Sequence, residues 1–199
     1  MYIEDSIKKY VDDLSAKLPA PGGGSAAALT GTLGVSLILM VLNYTIGKEK
    51  YKKFEEELME AQKSAKGLKK KLSVLVDRDV EAYKKVSATF SSQDGTIKEK
   101  TLKDAAGVPI EICNCSYEAM KLCRKIMDKT NKNLISDVAV AAEFLEAAYN
   151  SALFNIKINL KDIKDREFSG NIEKVIEPQI EEVEELKEAI LEFVNKNIT

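Results

Sequence analysis

An uncharged stretch of 21 residues, 26–46, most constrains what this chain can fold into. It reads AAALTGTLGVSLILMVLNYTI, and its length just suffices to span a bilayer, which takes about 20 residues. Its first half is rich in small residues, which permit close helix–helix approach, and its second half carries Asn43 and Thr45. We therefore favour a central helix buried in a protein core or at a dimer interface, with a membrane span as the weaker alternative.

The segment directly before this stretch is Pro21-Gly22-Gly23-Gly24-Ser25. Glycines let a backbone turn tightly and approach another molecule closely, because no Cβ intervenes. Ser25 is a suitable N-cap, and a helix start presents unpaired N–H groups and the positive end of the helix dipole. We therefore expect Gly22, Gly23, Gly24 and Ser25 to hold an anionic or carbonyl part of a ligand.

The rest of the chain predicts an all-α protein, an up-and-down bundle of about six helices. Long stretches of Lys, Glu, Ala and Leu favour helix, and no segment shows the alternation of a strand. The predicted helices are 3–17, 25–46, 50–92, 96–129, 134–163 and 169–197. Turns are predicted at 18–24, 91–95, 130–133 and 168–171. A length of 199 residues indicates one domain, residues 1–199.

Composition excludes several classes of function. A net charge of −2 gives no reason to expect nucleic acid as a partner. The first residues, YIEDSIKKY, are unlike a signal peptide, and three cysteines, an odd number, are typical of reduced thiols, so we expect a cytoplasmic protein. There is no histidine, the commonest zinc ligand and general base, and we expect no metal.

The third predicted helix places a carboxylate on its apolar face. The spacing of alternating fours and threes runs through Phe54, Leu58, Ala61, Ala65, Leu68, Leu72, Leu75, Ala82 and Val86. Asp79 occupies the position between Leu75 and Ala82, and a carboxylate facing a core is costly unless it is paired or used. Two interpretations remain open: the helix turns and Asp79 is solvated, or Asp79 is a functional group with a tuned pKa.

The fifth predicted helix contains two asparagines whose side-chain amides are candidate ligand-binding groups. Asn155 and Asn159 are four residues apart at the edge of its apolar stripe, so their side chains share one face. They either bond to neighbouring backbone or hold a polar ligand such as a pterin. A cluster of four polar residues lies at the start of this helix, which is more than capping requires: Asn131, Asn133, Ser136 and Asp137.

Taken in order, these motifs resemble the formimino-tetrahydrofolate cyclodeaminase family, which includes stand-alone methenyl-tetrahydrofolate cyclohydrolases. The resemblance covers nearly the whole chain. It rests on Pro21–Ser25, on Met40, Thr45 and Gly47, on Asp77, Asp79, Ala82 and Tyr83, on Val108-Pro109, on Asn131 and Ser136-Asp137, and on Asn155–Lys161. Thr130 stands where the family pattern has a glycine, which removes no chemical group.

The resemblance implies an all-helical homodimer that acts at the bridge between N5 and N10 of tetrahydrofolate. The tetrahydrofolate derivative, with or without a polyglutamate tail, is then the substrate, and no permanently bound cofactor is expected. In this family's terms Asp79 and Asp137 are candidate catalytic groups. The candidate binding residues are Gly22, Gly23, Gly24, Ser25, Asp77, Asn131, Ser136, Asn155, Asn159, Lys157 and Lys161. The alternatives are a helical module that binds folate without catalysis and a membrane-associated protein.

Overall fold

A computed structural model describes residues 1–89 and 94–198. Within these ranges the chain forms helices and short 3-10 turns and no strand, which confirms the predicted all-α class. The six α-helices are α1 (Ile7–Ser15), α2 (Gly23–Asn43), α3 (Glu55–Thr89), α4 (Gly95–Ile126), α5 (Ile135–Lys161) and α6 (Arg166–Asn197). The 3-10 turns are Tyr2–Glu4, Glu49–Phe54 and Lys132–Leu134. Of the predicted turn at 91–95, residues 91–93 lie outside the described residues.

Consecutive long helices run antiparallel, as the contacts between them show. Glu57 of α3 pairs with Lys125 near the end of α4, while Arg78 pairs with Glu111, so residue numbers rise on one helix as they fall on the other. The Cys113 and Cys123 thiols of α4 donate to the carbonyls of Tyr149 and Val138 on α5, which shows the same antiparallel arrangement. The start of α2, the end of α3, the start of α4 and the end of α5 therefore meet at one end of the bundle.

Helix α2 lies at the centre, against α3 and α5, because its small residues let both neighbours approach closely. A Cβ on Gly34 would lie 2.9 Å from Leu145 Cγ and 3.2 Å from the Ala141 carbonyl oxygen, both on α5. A Cβ on Gly31 would lie 3.2 Å from Leu72 Cδ2 on α3. These contacts give the small residues of the uncharged stretch a packing role, as the core interpretation predicts.

Among the described residues, α2 is the one helix that is long and apolar enough to cross a membrane. Its most apolar window is 56% buried inside the bundle, between α3, α4 and α5. The remaining face of α2 is apolar and open. That pattern fits a core helix with one face available to a further protein surface, which is the form that the sequence favoured.

Three predicted helix boundaries were wrong for local reasons. Helix α2 begins at Gly23 with Gly22 as its N-cap, so Ser25 is not the cap but lies in the first turn. No turn is found at 168–171, because the Asp165 carboxylate accepts from the N–H of Phe168 and starts α6 at Arg166. The first predicted helix is divided into a 3-10 turn and α1 at Asp5–Ser6, where the Ser6 hydroxyl accepts from the N–H of Lys9.

Gly34→Ala is expected to destabilise the protein by about 1–3 kcal/mol, because the added methyl group meets Leu145 and the α5 backbone with no space to enter. Gly67→Ala is the matched control: it lies inside α3, where an added Cβ meets nothing within 4 Å. Alanine should stabilise that position by up to about 1 kcal/mol. Urea unfolding followed by circular dichroism measures both changes, and equal effects would contradict the packing role of Gly34.

Candidate active site

A cleft of about 360 Å³ opens at the end of the bundle where α2 begins. Four helices and the loop before α2 form its walls. The lining residues are Pro19, Ala20, Gly22, Gly23, Gly24, Asp79, Ala82, Tyr83, Val86, Leu102, Ala105, Asn155, Ile158, Asn159 and Asp162. The cleft thus brings together six of the sequence-predicted site residues: three glycines, one aspartate and two asparagines.

The side chain of Asp79, on α3, caps the first turn of α2. Its Oδ2 accepts a hydrogen bond of 2.9 Å from the N–H of Ser25. A carboxylate is well placed there, since a helix start carries unpaired N–H groups and partial positive charge. Asp79 therefore has the capping role that the sequence predicted for Ser25. An anionic ligand group at this helix start would be repelled by the Asp79 carboxylate.

Burial raises the pKa of the Asp79 carboxyl above its ordinary value, and the hydrogen bond from Ser25 opposes that shift in part. None of the described residues that line the cleft is Lys or Arg, so no cation offsets the burial. A half-buried carboxylate with a raised pKa and no cationic partner can accept a proton or stabilise a bound cation. The functional interpretation of Asp79 is thus consistent with its position.

Gly24 has to be glycine for Asp79 to reach the helix. A Cβ at this position would lie 2.0 Å from Asp79 Oδ1 and 2.6 Å from its Cγ. At Gly23 the nearest atoms to a Cβ belong to the Asn155 amide, at 3.6 and 3.7 Å, which is an ordinary contact. The glycine run therefore serves two different purposes: Gly24 admits the carboxylate, and Gly23 keeps the cleft open beside Asn155.

The N–H groups of Gly23 and Gly24 remain as donors at the cleft. Ala26 donates its N–H to the Gly22 carbonyl, and Ser25 donates to Asp79, but no partner among the described residues takes the other two. Beside the Asp79 charge, these donors suit a neutral carbonyl oxygen better than an anion.

Asn155 and Asn159 lie on the wall that α5 contributes. The Asn155 amide nitrogen donates to the Ser151 carbonyl one turn earlier, at 2.8 Å, which leaves its oxygen free to accept. The backbone interpretation is therefore confirmed for the amide nitrogen of Asn155, while the ligand interpretation stays a prediction that concerns its oxygen.

Ser25 and Asp77 lie beside the cleft but do not line it. The Ser25 hydroxyl is buried, donates to the Val76 carbonyl at 2.8 Å and accepts from the Tyr10 hydroxyl at 3.1 Å. Asp77 accepts from the N–H groups of Tyr2 and Ile3, at 2.6 and 3.2 Å, and so caps the first 3-10 turn. Both side chains are engaged in holding the N-terminal segment to the bundle.

Asn131, Ser136 and Asp137 lie at the opposite end of the bundle. Asn131 donates its N–H to the Thr45 hydroxyl and its side-chain amide to the Tyr44 carbonyl, both just beyond α2. Asp137 shares a face of α5 with Asn155 but stands five turns away, about 27 Å along the helix. Within one chain these residues do not meet the cleft.

Lys157 and Lys161 also lie outside the cleft. They line a separate groove of about 350 Å³ between α5 and α6, together with Arg166. This groove opens on the other side of α5 from Asn155 and Asn159.

Two ionisable residues among the described lining of the cleft were not among the sequence-predicted site residues. Asp162 follows Asn155 and Asn159 at the spacing of one helix face, and Tyr83 follows Asp79 by four residues. The same periodicity that identified their neighbours was sufficient to find both. With Asp162, the ionisable groups of the cleft are two carboxylates and one phenol.

The structure assigns no metal site among the described residues, since no cluster of three acidic or cysteine ligands occurs there. The three cysteines are buried and lie outside the cleft. Burial raises the pKa of the Cys113 and Cys123 thiols to about 12, so neither is a nucleophile at neutral pH.

The sequence and the fold have counterparts among known proteins. A methenyltetrahydrofolate cyclohydrolase from Methylorubrum extorquens is 34% identical over 98% of both chains. The formimidoyltransferase-cyclodeaminase of Rattus norvegicus is 27% identical over 83% of this chain, which covers 32% of that longer protein. The crystal structure of formiminotetrahydrofolate cyclodeaminase from Thermotoga maritima matches the whole of both chains with a TM-score of 0.95 at 28% identity.

The all-α bundle of this chain is thus shared with folate one-carbon enzymes. The sequence profile of the formiminotransferase-cyclodeaminase family matches residues 6–178. The chain belongs to this family, which confirms the resemblance found from its motifs.

Gly24→Ala is expected to displace the Asp79 carboxylate, because the methyl group would occupy its place. We expect at least a hundredfold loss of the activity proposed below, on the order of losing one acid–base group. Gly23→Ala is the matched control, since its methyl group has room, and it should lose much less. Steady-state rates measure both changes. The close approach of Asp79 would not matter to activity if the two alanine variants behaved alike.

Proposed function

We propose that this chain is a cytoplasmic enzyme that acts at the N5–N10 bridge of tetrahydrofolate. It would act either as a 5,10-methenyl-tetrahydrofolate cyclohydrolase or as a formimino-tetrahydrofolate cyclodeaminase. The observation that carries this proposal is the charge of the cleft: its described lining contains Asp79 and Asp162 and no lysine or arginine. Both substrates carry a positive, amidine-like group at the bridge, and carboxylates stabilise such a group.

In the cyclohydrolase reaction, water attacks the methenyl carbon and the Asp79 carboxylate takes a proton from that water. The tetrahedral intermediate then breaks its bond from carbon to N5. N5 receives the proton back from Asp79, the hydroxyl group of the intermediate loses its own proton to solvent as the carbonyl forms, and the 10-formyl product remains. A pKa raised by burial brings the proton affinity of Asp79 closer to that required at neutral pH. In the cyclodeaminase reaction, N10 attacks the carbon of the protonated formimino group, the N10 proton passes to the amino group by way of the same carboxylate, and ammonia leaves, so that the methenyl cation remains beside Asp79.

The amides and glycines suit the pterin ring. The free oxygen of Asn155 and the amide of Asn159 can pair with its amide and amino groups, and the N–H groups of Gly23 and Gly24 can donate to its carbonyl oxygen. The glutamate tail, which is anionic, is then directed out of the acidic cleft. On α5, Lys157 and Lys161 are the cations that we propose for the tail, which would pass around the C-terminal end of that helix to reach them.

Loss of absorbance of 5,10-methenyl-tetrahydrofolate, followed with purified protein against the uncatalysed rate, tests the cyclohydrolase reaction. Gain of the same absorbance from formimino-tetrahydrofolate, with ammonia released, tests the cyclodeaminase reaction. Asp79→Asn should reduce whichever turnover is found by about 10²–10⁴-fold, because the amide cannot take a proton. If Asp79→Asn and Asn159→Ala both kept full turnover, the site assignment would be wrong.

Asp79→Asn should be at least as stable as the parent protein at neutral pH. A carboxyl whose pKa is raised by folding opposes folding once it ionises, so its contribution to stability falls as pH rises above the unfolded-state pKa. The amide oxygen can still accept from Ser25. Urea unfolding at pH 4 and pH 7 therefore separates a catalytic loss from a loss of fold.

A folate-binding module without catalysis remains the second candidate, and it predicts tetrahydrofolate binding with no turnover of either substrate. A membrane-associated protein is the third candidate, and it would require detergent for solubility.

We further propose that the protein is a homodimer joined through the open faces of α2 and α5. On α2, Leu33 and Tyr44 are 48% and 59% exposed. On α5, Val140, Phe144, Phe154 and Ile158 are exposed at steps of four, ten and four, which keeps them on one side of the helix. Because α2 and α5 are adjacent and both expose apolar side chains, they are suited to pack against α2 and α5 of a second copy of the chain.

A two-fold axis perpendicular to these helices would complete the candidate site. It would place the Asn131, Ser136 and Asp137 end of one chain beside the cleft end of its partner. The motif residues that a single chain keeps at opposite ends would then lie together. This arrangement accounts for the candidate role of Asp137, which nothing within one chain explains.

Mixing inactive variants tests this arrangement. Asp79→Asn and Asp137→Asn homodimers should both be inactive, while exchange of their subunits should restore about a quarter of the parent activity, since half the dimers have one intact site of two. A mixture of Asp79→Asn with Asn159→Ala is the control and should restore none, because both residues belong to one cleft. A monomer in size-exclusion chromatography, or restoration in neither mixture, would contradict the shared site.

A further inference from the structure

We propose that the backbone carbonyl oxygen of Ala105 accepts a hydrogen bond from the ligand in the cleft, and that Pro109 serves to keep this oxygen available. The inference deepens the proposed function and rests on it. It gives a role to the Val108-Pro109 motif, which the candidate site does not otherwise use.

Pro109 lies inside α4 rather than at its start. In a regular helix the carbonyl of residue 105 accepts from the N–H of residue 109, but proline has no N–H to donate. The proline ring also crowds the carbonyl four residues earlier and tilts it away from the helix axis. One carbonyl of α4 therefore lacks its helical partner, and it is that of Ala105.

Ala105 lines the cleft, together with Leu102 one turn earlier. The residue is only 8% exposed, so bulk water has little access to its backbone. Among the described residues, no backbone N–H from outside α4 donates to this carbonyl, and no side-chain donor is found for it. Burying a carbonyl without a hydrogen-bond partner costs free energy. Because Ala105 lines the cleft, we expect the donor to come from a ligand bound there.

The sequence contains an internal control for this argument. Pro178 lies inside α6 and frees the carbonyl of Lys174 in the same way. Pro178 and Lys174 are exposed, so water can reach that oxygen, and neither lines the cleft. Pro109, by contrast, is buried. The carbonyl that lacks its helical partner thus belongs to a cleft residue in α4 and to a solvent-exposed residue in α6.

The expected donor is an N–H of the tetrahydropterin or of the formimino group. Asp79, Asp162 and the free oxygen of Asn155 make the side chains of the cleft mainly acceptors, and the Ala105 carbonyl adds one from the α4 wall. A tetrahydropterin carries several N–H groups on one edge, so an acceptor-rich wall recognises it better than it recognises a fully oxidised or carbonyl-rich ring.

Pro109→Ala restores an N–H at this position and gives the Ala105 carbonyl a partner within the helix. We expect KM for the bridge substrate, and Kd for tetrahydrofolate, to rise about three- to tenfold with kcat changed less than twofold, as for one hydrogen bond lost on binding. Pro109→Ser tests the same change with a different side chain. Pro178→Ala is the matched control and should leave KM and Kd unchanged. Thermal midpoints by circular dichroism report whether each variant folds.

A second measurement uses the parent protein, so it does not depend on any variant folding. Alanine labelled with 13C at the carbonyl gives a resonance for Ala105 that is assigned by its loss in Ala105→Ser. Tetrahydrofolate should shift this resonance downfield, as a new hydrogen bond to a carbonyl does. An unmoved resonance, or proline variants at 109 and 178 with equal KM, would overturn the role of Ala105. Absence of turnover in the parent protein would instead contradict the proposed function.

Discussion

The hydrogen bond from the N–H of Ser25 to the Asp79 carboxylate is the contact on which the candidate site depends. It joins the start of α2 to α3 and holds the Asp79 carboxylate in place in the cleft. It requires a glycine at position 24, because any side chain there would meet the carboxylate. Burial disfavours the ionised form of Asp79, so this arrangement sacrifices some folding stability for a carboxyl of raised pKa.

Periodicity was sufficient to predict the helices and the residues that share a face. Asp79 occupies a position in the apolar spacing of α3, and Asn155 and Asn159 share one face at the edge of the apolar stripe of α5. All three line the cleft. Asp162 and Tyr83 follow the same spacings. That part of the site was available from the sequence because it depends on positions within single helices.

The roles of Asp77 and Ser25 could not be predicted in this way. Asp77 is held by the N–H groups of Tyr2 and Ile3, and Ser25 by Val76 and Tyr10, and these partners are distant in sequence. Motif order places Asp77 beside Asp79 but does not say that one carboxylate caps the N-terminal turn and the other caps α2. The boundary error at 168–171 has a local cause: Ser169 and Gly170 are typical of turns, yet the Asp165 cap prevails.

Helix α2 connects the cleft with the open apolar face, and its two sides have different requirements. The inner side consists of small residues because α3 and α5 pack against its backbone, which makes its position precise. The outer side carries larger apolar residues that one chain leaves exposed. Because one rigid helix bears both, a partner seated on the outer side is held at a fixed distance from Asp79. In the proposed dimer this rigidity is what would allow a residue supplied by the partner to meet the cleft in a defined geometry.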